Sequence, residues 1–190
     1  MRRRTWILLA AAAAVALGVG FGIVSWGDRD EGGAPAVREY PLGERPAAPP
    51  IAGELLDGEQ FEVASLRGDV VVVNLWGSWC PPCRAETADL EEVYQATQEL
   101  GVSFVGVNVR DSRDRAISFM SGRVTYPSIF DPPFANGVGF SDPPAPVGPP
   151  ATLIIDREGD LAAVVYRVVG RAELEQLVRG IAAEGAPADG

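Results

Sequence analysis

Two cysteines, Cys80 and Cys83, are the only ones in the chain, and two prolines separate them. This spacing suits reversible disulfide formation, one half of a metal site, or a static disulfide bond. The pair could also be two free thiols packed in a core. Which of these applies depends largely on residue types that the sequence lacks.

The chain of 190 residues contains no histidine, and all 16 of its basic residues are arginine. A Ser-His-Asp or Cys-His catalytic arrangement is therefore excluded, as is Schiff-base or P-loop lysine chemistry. A zinc site usually needs about four protein ligands, and no third cysteine or histidine could complete one. A CxxC disulfide closes so short a loop that it constrains little chain entropy, which disfavours a purely structural bond. Reversible thiol-disulfide exchange is the favoured interpretation.

The cysteines follow a continuous apolar, β-branched run, Val70–Trp76, which is typical of a strand buried on both faces of a sheet. A helix is predicted from Pro81 to Leu100, because prolines suit the first helical positions. The helix N-terminus stabilises a thiolate and lowers the pKa of Cys80, which is therefore the expected nucleophile. Cys83, one turn later, would attack the resulting mixed disulfide and release the product.

The remaining pattern is that of an α/β domain. VSFVGVNV at Val102–Val109 predicts a second buried strand, parallel to the first through a right-handed crossover. A hairpin turning at Asp57-Gly58 precedes the first strand, and ATLIID with LAAVVYRVV predicts an antiparallel hairpin near the end. Two further helices are expected at about 113–121 and 171–183. A loop dense in Pro and Gly lies between them, at 131–150. The sequence thus predicts a mixed central sheet flanked by helices.

The N-terminal residues are not expected to belong to this fold. Arg2, Arg3 and Arg4 precede an uncharged run of 23 residues, Thr5–Gly27. As a helix rising ~1.5 Å per residue, that run would cross a ~30 Å hydrocarbon core. We predict a signal anchor at 1–27, with the N-terminus cytoplasmic and the domain extracytoplasmic. A cleaved signal peptide, which would give a secreted protein, is the alternative.

Composition divides the rest of the chain. Residues 28–50, rich in Gly, Ala, Pro and charge, are predicted to be a flexible linker, 51–184 the folded domain, and 185–190 a disordered tail. From Asp28 onward there are 13 basic and 26 acidic residues, a net charge of −13. Such a surface repels nucleic acid and anionic lipid, so we expect no nucleic-acid contact and membrane contact only through the N-terminal helix. The domain is expected to be a monomer.

From about Arg45 to Ala183 the chain resembles the TlpA/ResA-like family of extracytoplasmic thiol-disulfide oxidoreductases. The stretches that carry the resemblance are LRGDVVVVNLWGSWCPPCRAE, VSFVGVNV, YPSIFDP and PPATLIIDREGDLAAVVYRVVG. It implies a thioredoxin-like fold, with Cys80 as an exposed attacking thiol, Cys83 as a buried resolving thiol, and no cofactor besides this pair. Implied partners are exported protein disulfides, including those of apocytochrome c, and a membrane thiol donor of the DsbD/CcdA kind.

The resemblance also implies roles for residues around the pair. Glu86 matches an acidic residue near the cysteines that could raise a thiol pKa or move a proton; a solvated glutamate is the alternative. Asn74 stands where cytoplasmic thioredoxins keep a buried aspartate. Pro150 aligns with the catalytic cis-proline facing the cysteines, and the preceding Pro149 has no N–H for a substrate backbone. The expected substrate-contacting residues are Trp79, Pro81, Pro82 and Pro149, with core packing as the alternative for Trp79.

Three other activities use related chemistry. A DsbA-like oxidase would use the same cysteines with the opposite direction of electron flow. A peroxiredoxin-type peroxidase would need a threonine-associated cysteine instead of the WCPPC sequence. A Sco-type copper chaperone would need a distant histidine, which this chain lacks.

Overall fold

The computed structural model of the chain describes residues 36–137 and 146–184. The predicted signal anchor at 1–27, the first part of the predicted linker and the predicted tail at 185–190 lie outside the described residues. No described helix combines the length and the apolar character needed to cross a membrane. The strands are β1 (Val37–Glu39), β2 (Ala52–Glu54), β3 (Gln60–Glu62), β4 (Val70–Trp76), β5 (Val102–Val109), β6 (Ser128–Asp131), β7 (Ala151–Ile155) and β8 (Leu161–Val165). The helices are α1 (Pro81–Thr97), α2 (Arg113–Met120) and α3 (Arg171–Glu184).

Six of these strands form one mixed sheet in the order β1-β8-β7-β4-β5-β6. Strands β4, β5 and β6 are parallel, whereas β7, β8 and β1 each run antiparallel to their neighbour. Strands β2 and β3 pair separately as an antiparallel hairpin. The predicted parallel pair, the later antiparallel hairpin and the early hairpin are therefore confirmed.

Strand β4 separates the two apolar layers of the domain. All seven of its residues are buried, and their side chains alternate between two clusters. Val70 and Val72 pack in the cluster that includes residues of α1 and α3. Val71 and Val73 pack in the cluster beneath the β2–β3 hairpin. Because both faces are covered, the strand is apolar at every position except Asn74 instead of alternating with polar residues.

The predicted linker boundary at Pro50 is wrong, because the described part of this segment is built into the fold. Strand β1 pairs with β8, with Val37 opposite Val165. Beyond it, the carbonyl of Pro46 accepts a hydrogen bond from the Leu161 N–H at 2.8 Å. The segment is attached to the sheet by main-chain hydrogen bonds to β8, which any sequence can form. Its sequence therefore lacks the apolar periodicity by which a strand is predicted.

Two smaller differences also have simple causes. Helix α1 ends at Thr97 rather than Leu100, and a 3-10 turn at Gln98–Leu100 closes on Gly101 in the left-handed region (φ 71°). This change of helix type turns Leu100 out to the surface, away from the buried face on which it was predicted. Strand β6 was not predicted, since its four residues are too few to show a period.

Candidate active site

Cys80 and Cys83 form a disulfide at the junction between β4 and α1. Cys80 is the N-cap of α1, with an extended backbone, and its Sγ accepts a hydrogen bond from the Cys83 N–H at 3.3 Å. Pro81 and Pro82 occupy the first two helical positions, where they supply no N–H. The Cys83 N–H is therefore the first donor of the helix available to a sulfur. A Cys80 thiolate would be stabilised by this donor and by the helix dipole.

The disulfide lies in a small apolar cluster of its own. Cys80 and Cys83 are each only 2% exposed, and they group with Trp76, Ala116 and Phe119. The rings of Trp76 and Phe119 have centroids 5.7 Å apart. The expectation of an exposed Cys80 is therefore wrong for the disulfide form, because the rings and the first turn of α1 cover both sulfurs.

The surface around this cluster is formed by the residues on either side of Cys80. Pro81 and Pro82 are exposed, and Trp79 is 46% exposed rather than packed in the core. The Trp79 ring is nevertheless fixed, because its Nε1–H donates to the carbonyl of Val109 at 3.1 Å. Trp79, Pro81 and Pro82 thus form an exposed apolar surface beside the disulfide, which we call the rim.

Asp111, which sequence reasoning missed, holds the segment just before the cysteines. Its carboxylate accepts hydrogen bonds from the Ser78 N–H at 2.7 Å and the Ser78 hydroxyl at 3.0 Å. Burial alone would raise the pKa of Asp111, but the hydrogen bonds from Ser78, Asn108 and Ser112 outweigh it and lower this pKa. A signal existed, since Asp111 closely follows β5 and the carboxyl ends of parallel strands share one edge of a sheet.

Glu86 is buried beneath the disulfide end of α1. It is 1% exposed and lies one turn after Cys83. Its Oε1 accepts from the Asn74 side-chain amide at 3.0 Å, and its Oε2 accepts from the Val169 N–H at 3.2 Å. Burial raises the pKa of Glu86 to about 7, although these two hydrogen bonds act in the opposite direction. The alternative of a solvated glutamate is therefore wrong.

Asn74 connects this carboxyl group to the strand that follows the cis-proline. Its side-chain amide also donates to the Thr152 hydroxyl at 3.2 Å, and Asn74 and Thr152 are opposite each other in the β4–β7 register. The bond between Pro149 and Pro150 is cis, as the family resemblance implied. Since Leu75 pairs with Ala151, Pro150 lies at the end of β4 from which the chain leads to Cys80.

Five of the predicted site residues thus lie near the carboxyl end of β4: Trp79, Cys80, Cys83, Glu86 and Pro150. A disulfide there can accept two electrons and two protons, and Glu86 can exchange a proton near neutral pH. Among the described residues, no group of three or more His, Cys, Asp or Glu side chains is placed to hold a metal ion.

Known proteins with similar sequences and structures are named for thiol-disulfide exchange. The AhpC/TSA family pattern matches residues 45–164. The chain is 31% identical over 125 residues to the thiol-disulfide oxidoreductase ResA of Bacillus subtilis, covering 65% of this chain and 68% of ResA. It is 34% identical over 122 residues to the thiol:disulfide interchange protein DsbE of Allochromatium vinosum, covering 63% and 64% of the two chains. A secreted thiol-disulfide isomerase of Corynebacterium glutamicum has a similar structure, with a TM-score of 0.74, 32% identity, and coverage of 83% and 96%.

Proposed function

Because the chain belongs to the AhpC/TSA family, among the thiol-disulfide oxidoreductases related to ResA and DsbE, we propose that it reduces disulfides in exported proteins. Its fold is thioredoxin-like, with a mixed sheet flanked by helices. The observation that carries the proposal is the Cys80–Cys83 disulfide at the N-terminus of α1. At that position a thiolate is stabilised and a second thiol stands one helical turn away.

The reaction takes place in two exchange steps. In the reduced protein, the Cys80 thiolate attacks one sulfur of the client disulfide, whose S–S bond breaks and whose second sulfur leaves as a thiolate. The Cys83 thiolate then attacks Cys80 Sγ, and the bond between protein and client breaks. The client departs as a dithiol with two electrons and two protons gained, and Cys80–Cys83 returns to the disulfide seen here.

Glu86 supports the second step by accepting the proton of Cys83. The proposal relies on its position one turn after Cys83 and on a pKa raised by burial to about 7, where a carboxyl group both binds and releases a proton. Proton transfer to Glu86 is also consistent with Asn74, because the amide at that position cannot itself act as the base.

Substrate contact is assigned to the rim. Trp79, Pro81 and Pro82 present exposed apolar surface beside the sulfurs, and Pro149 and Pro150 lie at the same edge of the sheet. Pro149 supplies no N–H, so a client backbone is held there with one hydrogen bond fewer than another residue would allow.

The cellular setting follows from the N-terminal sequence. We place the domain outside the cytoplasm, anchored by 1–27, because three arginines precede an uncharged run long enough to span a bilayer. Reducing equivalents would come from a membrane thiol donor of the DsbD/CcdA kind. Clients would include the CxxCH disulfide of apocytochrome c, and the cysteine pair would need no bound cofactor.

A peroxidase of peroxiredoxin type is not favoured by the local geometry. The nearest threonine along α1, Thr87, donates its hydroxyl proton to the carbonyl of Cys83 at 2.8 Å. In the described part of the chain, Cys80 Sγ accepts its hydrogen bond from the Cys83 N–H and not from a threonine. Absence of peroxide turnover by the reduced protein would agree with this assignment.

Trapping of mixed disulfides tests the proposal. Cys83→Ala leaves Cys80 able to attack but unable to be resolved, so it should accumulate covalent complexes with an oxidised CxxCH peptide of apocytochrome c. Cys80→Ala should form none and should lose disulfide reduction. The measurement is a non-reducing gel with mass spectrometry of the adducts. Full reductase activity of Cys80→Ala would overturn the mechanism, and adducts only with other exported proteins would remove cytochrome c as the client.

A further inference from the structure

A groove of about 480 Å³ lies directly beside the disulfide rim. It runs between the segment that leads into Cys80 and helix α2. The residues that matter for its chemistry are Trp79, Arg84, Asp114, Arg115, Phe119 and Arg123. We call it the arginine groove.

Arg84 and Arg123 stack on the same aromatic ring. Their guanidinium carbons lie 5.0 Å and 4.9 Å from the centroid of Phe119. Both side chains donate hydrogen bonds to main-chain carbonyls, Arg84 to that of Ser78 at 3.3 Å and Arg123 to that of Phe119 at 2.6 Å. Both side chains are exposed, and among the described residues neither forms an ion pair with a carboxylate.

Two unpaired cations side by side are unexpected on this surface, because the part of the chain from Asp28 onward has a net charge of −13. Some other arginines, such as Arg45, Arg113 and Arg167, are ion paired with carboxylates, whereas Arg157, like Arg84 and Arg123, donates to main-chain carbonyls. Within the groove, Arg115 adds a third guanidinium, 3.8 Å from the enclosed carboxylate of Asp111. Asp114 is the one acidic residue among those that line it. The groove is therefore locally cationic on an acidic molecule.

The groove adjoins the apolar cluster that contains the reacting sulfurs. Phe119, on which both guanidinium groups stack, belongs to the apolar cluster of Cys80 and Cys83. Trp79 forms part of the wall and directly precedes Cys80. A polypeptide whose sulfur reaches Cys80 therefore has neighbouring residues within reach of Arg84 and Arg123.

We propose that the arginine groove binds an acidic segment of the client polypeptide, adjacent to the client's disulfide. The inference rests on the proposed function, disulfide reduction at Cys80. Guanidinium groups recognise carboxylates through charge-assisted, often bidentate hydrogen bonds, and the stacked arrangement holds both groups ready for them. Trp79 supplies an apolar surface for the residue next to the client cysteine. An anionic lipid surface is the less suitable occupant, since the remainder of the acidic domain would be repelled from it.

Two peptides with the same disulfide loop provide the test, one flanked by three glutamates and the other by three glutamines. The reduced full-length chain in detergent is mixed with each peptide, and the second-order rate constants of reduction are compared at low salt. The acidic surface of the domain by itself would slow the glutamate peptide. If the groove binds acidic segments, it should more than offset this repulsion. We expect the glutamate peptide to be reduced about fivefold or more faster than the glutamine peptide, and added salt to remove the difference.

Variants then assign the preference to the two arginines. The double variant R84Q/R123Q should lower the rate ratio to one or below, whereas R84K/R123K, which keeps both charges but loses the stacking and the bidentate geometry of the guanidinium groups, should keep only part of the preference. The matched control is R67Q, because Arg67 is also exposed and lies before the opposite end of β4. It should leave the ratio unchanged.

The possible failures are distinguishable. If neither peptide is reduced by the wild-type chain, the proposed function itself is wrong. If both are reduced but the wild-type ratio is one or less, or if R84Q/R123Q keeps the preference, the groove does not select acidic clients. An equal loss in R84K/R123K and R84Q/R123Q would overturn recognition by charge. Binding to phosphatidylglycerol vesicles that depends on both arginines would assign the groove to lipid instead.

Discussion

Glu86 is the residue whose surroundings most affect the chemistry next to the cysteines. It is a carboxyl group enclosed in the protein, with donors from Asn74 and Val169 and no cation bonded to it in the described part of the chain. Its pKa is therefore set by burial more than by these partners and lies near 7. A group that is half protonated at neutral pH suits proton transfer, but it makes the stability of the fold depend on pH.

The sign of that dependence follows from the direction of the shift. The pKa of Glu86 rises from 4.5 to about 7 on folding, so the folded protein binds this proton more tightly than the unfolded chain does. The stabilisation is fully present below the unfolded pKa and is lost as the pH rises through the folded pKa. At 1.4 kcal/mol per pKa unit, we expect the contribution of Glu86 to the unfolding free energy to fall by about 3 kcal/mol between pH 4.5 and pH 8.

Glu86→Gln should remove most of this slope, because glutamine carries no charge. The measurement is urea unfolding of the oxidised protein at a series of pH values, so that Cys83 does not titrate. Glu99→Gln, at an exposed glutamate after the end of α1, is the control and should keep the wild-type slope. Parallel curves for Glu86→Gln and the wild type would contradict the assignment.

The two kinds of site residue differ in how readily the sequence reveals them. Cys80 and Cys83 could be identified because their spacing and the absence of other metal ligands favour thiol-disulfide exchange. The burial of Glu86 could not, since a glutamate in the first turns of a helix is favourable at the surface as well. Its enclosure depends on Val169, which is 83 residues away in sequence. The contact of Asp111 with Ser78 likewise depends on the packing of two strand ends.

At the scale of elements, the segment before the first hairpin ties the two ends of the domain together. Arg45 lies within it, with a side chain only 5% exposed, and forms ion pairs with Asp156 at 3.1 Å and Glu184 at 2.7 Å. These partners lie in the β7–β8 turn and at the last residue of α3. The segment is thus held by charge and by main-chain pairing, together with the packing of Val37, Tyr40 and Ala48 against the core.

Arg45→Ala should destabilise the fold by about 2 to 3 kcal/mol, because the buried Asp156 loses its cation. Arg179→Ala is the matched control, since Arg179 makes an exposed pair with Glu175 on α3 and its loss should cost less than about 1 kcal/mol. Both values are read from urea unfolding at pH 7. Equal effects of the two substitutions would show that the segment before Ile51 is a loose linker after all.

Long, buried elements could be predicted from the sequence, and short elements could not. Strands β4, β5 and β7 could be predicted because they are buried on both faces and their sequences are therefore mostly apolar. Strands β1 and β6 have only three and four residues and lie at the two edges of the sheet. They form because they hydrogen-bond to β8 and β5, which are distant in sequence, so the residues of β1 and β6 alone do not predict them.

At the scale of the whole molecule, charge is distributed unevenly. The net charge of the chain is −10, yet the surface next to the disulfide carries Arg84, Arg115 and Arg123. Sequence alone does not group these residues, because Arg84 and Arg123 lie on either side of β5 and α2 along the chain. They meet because Phe119 packs against the disulfide cluster and brings α2 beside the start of α1.

The central claim is that Cys80 and Cys83 form a reversible redox couple poised for reduction, and its reduction potential tests this most directly. The full-length chain would be equilibrated with thiol redox buffers and the fraction of disulfide quantified by thiol alkylation. We predict one two-electron transition near the ~−270 mV of thioredoxin, which would suit a reductase supplied by a membrane donor. A value near the ~−120 mV of DsbA would make the protein an oxidase, and no reversible transition would leave only a structural disulfide.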